Sequence, residues 1–225
     1  MTKKIRLLKN KIKKLRDKLE SKSIPNKKSV GGSSYWTLDI SSLNENSIII
    51  SGGVGNDISF ELDLIKLTGC KIYLFDPSPT GIKTIEKIKN IPQKLNFIPK
   101  GLGGNSGKKF FSFPENSLEG SFTIQRDRVK QKLEFPIVSI TEFCEEQNIN
   151  TIDCVKLDIE GFEYEVLEDI LNNSKLTVHQ ILVEFHHFFE EIPNSKTSLA
   201  MKKLKKAGYM KIHRNEVDYS YKLQR

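Results

Sequence analysis

The chain has 225 residues, 37% hydrophobic and 28% charged, proportions that suit one folded domain and exclude general disorder. No apolar run approaches the roughly 20 residues that span a bilayer, and the basic start is not followed by a signal-peptide core, so a cytoplasmic location is expected. The net charge of +8 belongs to one segment: residues 1–28 hold 12 Lys/Arg against 2 Asp/Glu, net +10, which leaves 24 against 26, net −2, for the rest.

In chain order, Ile5, Leu8, Ile12, Leu15 and Leu19 step by three and four residues, which predicts a basic amphipathic helix. Such an arm suits self-association, contact with an anionic membrane surface, or a solvated extension. Residues 21–34, with Pro25, Gly31 and Gly32, read as a linker, so the expected division is 1–34 for arm and linker and 35–225 for the folded domain. Beyond it, strands are predicted at 48–50, 72–75, 95–98, 152–158 and 180–185, and helices at 58–67, 82–89, 140–147, 163–171 and 198–207. That alternation implies a largely parallel sheet covered on both faces. Residues 209–213 and 217–223 close the chain as an antiparallel hairpin. Residues 91–136, with Phe110, Phe111, Phe113 and Phe122 and a basic Arg126, Arg128, Lys130 series, fit either an insertion bearing substrate contacts or a β-hairpin packed on the sheet.

Two chemical patterns stand at strand ends. The turn SGGVGND, from Ser51 to Asp57, joins the first strand to a helix, where glycines let backbone amides approach a ligand. Asp76, in YLFDPSP, ends the second strand 21 residues past Gly55, about where an acid takes ribose hydroxyls. Ile58 replaces the third glycine of a pyrophosphate fingerprint, so a dinucleotide fits less well than S-adenosylmethionine, which carries no phosphate. Further on, KLDIEGFEYEVL sets Asp158 and Glu160 where a strand turns into a helix, facing the cleft beyond the sheet. His186 follows another strand, and with the two acids it makes up the candidate catalytic set. The bland alternatives are helix capping for the acids and a satisfied core histidine for His186.

These stretches resemble the FkbM-type family of class I S-adenosylmethionine-dependent methyltransferases: SGGVGNDISFE from Ser51, FDPSP from Phe75, LGGNSG from Leu102, TIDCVKLDIEGFEYEVL from Thr151 and ILVEFHH from Ile181. The resemblance implies a Rossmann-like α/β fold with a seven-stranded, mostly parallel sheet. It also implies a methyl acceptor that is a sugar, glycan or small-molecule hydroxyl. By position it assigns Gly53 and Gly55 to the cofactor, Asp76 to its ribose, and Asp158 and Glu160 to the reacting end; Ser51, Gly52, Asp57 and Pro77, in the same two stretches, are further candidate cofactor contacts. Within it, Ser51 stands where an acid is usual, and Asp57 stands in place of the loop's last glycine.

Other uses are a non-catalytic nucleoside-binding scaffold or a nucleic-acid or protein methyltransferase. The nearly neutral body disfavours nucleic acid as a partner. Asp158, Glu160 and His186 offer donors for a divalent metal, but no tight ligand spacing accompanies them, so no metal is assigned. Cys70, Cys144 and Cys154 lack a CxxC pair and read as reduced, buried thiols.

Overall fold

The computed structural model describes residues 26–32, 35–113, 122–124 and 132–224. The expected N-terminal helix and the Arg126, Arg128, Lys130 series lie outside the described residues.

The chain opens with an antiparallel pair, β1 (Lys27–Val30) and β2 (Trp36–Asp39). Two βαβ units follow: β3 (Ile48–Gly52), α1 (Ser59–Thr68), β4 (Lys71–Phe75), α2 (Pro79–Glu86) and β5 (Leu95–Ile98). Next come four strands that form a separate sheet: β6 (Gly101–Gly103), β7 (Gly107–Ser112), β8 (Thr123–Ile124) and β9 (Lys132–Ser139). The chain then runs through α3 (Ile140–Glu146), β10 (Thr151–Leu157), α4 (Glu163–Asn172), β11 (Thr177–Glu184) and α5 (Asn194–Lys206) into the hairpin of β12 (Tyr209–Asn215) and β13 (Asp218–Leu223). Two expectations are corrected here. Residues 27–30 are a strand of the folded body rather than linker, and residues 91–136 contribute to a four-stranded sheet rather than one hairpin.

The main sheet has the order β12-β13-β11-β10-β3-β4-β5, with β3, β4, β5, β10 and β11 parallel and the hairpin antiparallel. It is buried on both faces, and side-chain alternation sorts its residues. Ile50, Tyr73, Phe75, Val155 and Leu157 face one core with Phe143, Tyr164, Val166 and Leu204, while Ile49, Ile72, Leu74 and Cys154 face the other with Phe60, Leu64, Trp36 and Leu38. Each such large aliphatic contributes about 1.5–3 kcal/mol by leaving water. No helix among the described residues is long and apolar enough to cross a membrane.

Register places the site. Gly52 pairs with both Phe75 and Leu157, and Leu157 with Val183, so four parallel strands end at one level. The chain leaves β3 toward β4 on one side, while β10 lies on the other. A crevice therefore opens between β3 and β10, where connections diverge. The second sheet stands over its mouth, anchored by Phe111, Phe135, Ile137 and Phe162.

Candidate active site

A cavity of about 250 Å³ occupies this crevice. Its floor is the turn after β3. Gly53 (φ +91°) and Gly55 (φ +54°) hold left-handed backbone, and a Cβ on Gly53 would overlap the Asp158 carbonyl oxygen. The turn is clamped from below: Gly53 N donates to Phe75 O (2.9 Å) and Asp158 N to Gly52 O (3.1 Å). The cavity wall includes Gly53, Gly55, Asp57, Asp76 and Pro77, and also Asp158 and Glu160.

Asp76 is 7% exposed, and its carboxylate reaches back into the turn. Oδ2 accepts from Val54 N (2.8 Å) and Gly55 N (3.3 Å), and Oδ1 from Ser78 N (2.7 Å). A carboxylate has about four acceptor directions, so these three amides leave about one for a ligand hydroxyl. The close fit continues in α2, where a Cβ on Gly81 would lie 2.6 Å from Asp76 Oδ2. Asp57 turns to Ser59, accepting from its amide and hydroxyl at 2.8 Å each, and so fastens the start of α1 at the cavity rim.

Ser51 and Gly52 do not line the cavity. A Cβ on Gly52 would meet Leu102 and Ile159 at under 3 Å, which makes it a packing residue. Ser51 is fully buried and donates its hydroxyl to Glu61 Oε1 (2.6 Å). Glu61, 1% exposed, is the acid the turn lacks, delivered from α1; Lys156 Nζ stands 3.7 Å from the same oxygen and donates to Gly53 O (2.8 Å). Both side chains reach the cavity wall beside Trp36. Sequence reasoning passed over this pair, although each left a signal. Glu61 sits three residues from both Ile58 and Leu64 on an apolar helix face, and Lys156 interrupts the apolar run of β10.

Against this turn, the chain after β10 makes a tight reversal that also lines the cavity. Glu160 is held at φ +54°, uncommon for a residue with a side chain, and Gly161 at φ +106°. The reversal is fixed by Glu163, fully buried, whose Oε2 accepts from Gly161 N (2.9 Å) and Oε1 from His186 N (2.9 Å).

His186 departs from its expected place. It is 2% exposed, is absent from the cavity wall, and lies behind the acids rather than in the cleft. Its Nε2 is 3.4 Å from Glu160 Oε2, 3.8 Å from Asp158 Oδ1 and 3.9 Å from Glu184 Oε1, and its Nδ1 is 3.5 Å from Glu163 Oε2, long for a hydrogen bond. Burial alone pulls the imidazole pKa down, but Glu163, with Glu160 and Asp158, outweighs that and holds it near 9. The acids feel the crowding. Burial and the Asp158 charge push Glu184 up to about 8 and Asp218 to about 6, with His186 pulling both the other way.

The remaining wall is aromatic. Phe111 stacks on Phe162 (4.6 Å between centroids), and Phe122 meets Phe135 edge-on (5.4 Å). Phe111, Phe122 and Phe162 face the cavity, whereas Phe110 is solvent-exposed.

A glycine turn, an acid at the neighbouring strand end and a second acidic rim within one crevice agree with what the sequence scan finds: the Methyltransferase FkbM domain model matches residues 26–210. The chain belongs to this family. The FkbM match begins one residue before β1, in keeping with that strand being part of the body. Comparison with curated protein sequences gives no significant match. Among solved structures, the chain is similar to a Methanococcus jannaschii fibrillarin pre-rRNA processing protein (8% identity, 89% of this chain and 84% of that one, TM-score 0.45). It is also similar to M. jannaschii TYW2 in complex with AdoMet (13% identity, 88% and 87%, TM-score 0.37). These overlaps are shallow, and the FkbM assignment stands on the domain match alone.

Proposed function

We propose that this FkbM-domain protein transfers a methyl group from S-adenosylmethionine to a hydroxyl of a sugar, glycan or other small molecule, on a Rossmann-like class I fold and in the cytoplasm. The observation that carries the proposal is the shared cavity: Gly53, Gly55 and Asp76 line it together with Asp158 and Glu160. The remaining acceptor direction of Asp76 takes a ribose hydroxyl, and the buried Glu61 and Lys156 provide opposite charges for the methionine ammonium and carboxylate. Phe111, Phe122 and Phe162 offer flat apolar faces of the kind on which an acceptor ring packs.

In the reaction, the acceptor oxygen attacks the methyl carbon in line with the breaking carbon–sulfur bond, and S-adenosylhomocysteine leaves. The hydroxyl proton passes to Asp158, whose side chain is 35% exposed. His186 acts through the acids as a positioning residue, since burial keeps it from the acceptor. Positioning of the two reactants within about 3 Å supplies much of the rate.

Isothermal calorimetry with S-adenosylmethionine and S-adenosylhomocysteine tests the pocket, and transfer of radiolabel from the donor into fractionated cell extract tests the chemistry. The expected results are one saturable site per chain and labelled small-molecule product, with transfer reduced about 100-fold or more in Asp158→Asn at unchanged donor affinity. Failure of either ligand to bind sinks the reading.

A further inference from the structure

The group around His186 does more than hold a positioning imidazole. We propose that Asp158, Glu184 and His186 bind one divalent cation, of the class that takes carboxylate oxygens together with a single imidazole, beside the acidic end of the cavity.

The geometry carries this. One donor atom from each of the three residues lies within 4.8 Å of the other two, with His186 Nε2 at 3.8 Å from Asp158 Oδ1 and 3.9 Å from Glu184 Oε1. Those separations exceed direct hydrogen bonds. They match two ligands on one ion: metal–ligand bonds of about 2.0–2.2 Å put neighbouring donors about 3 Å apart and opposite donors about 4.3 Å apart. Asp158 directly follows β10 and Glu184 ends β11, adjacent parallel strands paired up to Leu157 and Val183, so the sheet fixes the spacing.

His186 is the independent sign of a ligand. It is 2% exposed, and its Nε2 points among the carboxylates at 3.4–3.9 Å without closing on any of them. The Glu163 carboxylate lies behind Nδ1 at 3.5 Å and is itself pinned by two backbone amides. A carboxylate in that place favours the proton on Nδ1, so an ion at Nε2 displaces the other proton and takes the lone pair, the usual support of a ligating histidine.

Charge points the same way. Asp158, Glu160 and Glu184 stand within 4 Å of His186 Nε2, and Asp218 pairs with Glu184 across the sheet, so four carboxylates gather around one imidazole. A dication offsets their charge. The side chains of Asp158 and Glu184 are 35% and 26% exposed, so an ion has a way in and keeps positions open for water or an acceptor hydroxyl. Ligation of one Asp158 oxygen leaves the other for the proton. The use of the ion thus rests on the proposed transfer, but its binding does not.

The test uses the full chain, stripped with chelator and without methyl donor. Titration with Mn2+, followed by the loss of the free-ion EPR signal, is expected to give one saturable site with a dissociation constant below about 1 mM. Glu184→Gln, nearly equal in volume, is expected to weaken it about 10-fold or more. Bound Mn2+ in the unaltered protein is expected to show nitrogen coupling from one imidazole. Absence of saturable binding, unaltered affinity in Glu184→Gln, or bound Mn2+ without nitrogen coupling each overturns the site. None of these outcomes bears on donor binding, so the two readings fail separately.

Discussion

Gly53 and Asp158, the residues that directly follow β3 and β10, meet backbone to backbone: a Cβ on Gly53 would stand 3.0 Å from the Asp158 carbonyl carbon and overlap its oxygen. The contact ties the glycine turn to the acidic rim. Gly53→Ala must both adopt φ +91° and push the Asp158 backbone away, so a loss of about 2–4 kcal/mol is expected together with loss of S-adenosylhomocysteine binding. Gly55→Ala is the control, because a Cβ there meets nothing within 4 Å and the left-handed backbone alone costs about 1–2 kcal/mol. Urea denaturation ranks the two; equal losses would mean that the Gly53–Asp158 contact is not the constraint.

The Glu61–Lys156 pair lies 6% or less exposed on both sides beneath the same turn. Removing one partner of a buried pair strands the other charge, so Glu61→Gln and Lys156→Met are each expected to cost about 3–5 kcal/mol. The double variant is expected to cost less than the two singles together by about 1–3 kcal/mol, because no charge is then left alone. A double-mutant cycle in denaturant measures this. Strict additivity would show that the two side chains do not interact.

Much of the scaffold was legible because its signals are local. The apolar runs of β3, β4, β5, β10 and β11 and the helical spacing between them were readable, and so were the glycines at 53 and 55 and the acids at 76, 158 and 160. What escaped depends on who lies opposite. Ser51 looked like a lost acid until α1 delivered Glu61 from ten residues on. His186 reads as a catalytic partner of the acids, but Glu163 at the start of α4 accepts from its backbone amide and the imidazole is buried. Residues 27–30 have a linker's composition, yet Val30 is 2% exposed because β2 supplies the partner strand. Pairing of this kind has no periodicity to read.

In chelator-treated protein, stability is expected to fall as pH rises across the neutral range. The folded pKa of His186, about 9, lies above its ordinary 6.5, so its contribution is full below 6.5 and lost as pH climbs through 9. Glu184, raised to about 8 from 4.5, acts in the same direction: between those values the folded chain holds a proton the unfolded chain has released. The melting temperature should therefore decline between about pH 5 and pH 9, and less steeply in Glu184→Gln. A wild-type profile that is flat or rising there contradicts the charge crowding. The groups facing His186 are Asp158, Glu160, Glu163 and Glu184, with Asp218 on β13 adding to the burden on Glu184.

Two truncations separate the basic arm from the body. Removal of residues 1–25 leaves β1 in place, whereas removal of residues 1–34 takes it away, with Val30, the Lys27 Nζ bond to Ile212 O (3.2 Å) and the hydroxyl contact of Ser29 with Thr37 (2.9 Å). Val30 alone accounts for about 1.5–3 kcal/mol of burial. β1 also covers β2, whose Trp36 lines the cavity, so the longer truncation is expected to weaken S-adenosylhomocysteine binding as well. The shorter one is expected to match the full chain in both stability and affinity. If the two truncations unfold at the same denaturant concentration, β1 contributes nothing to the domain, and the boundary belongs after residue 34.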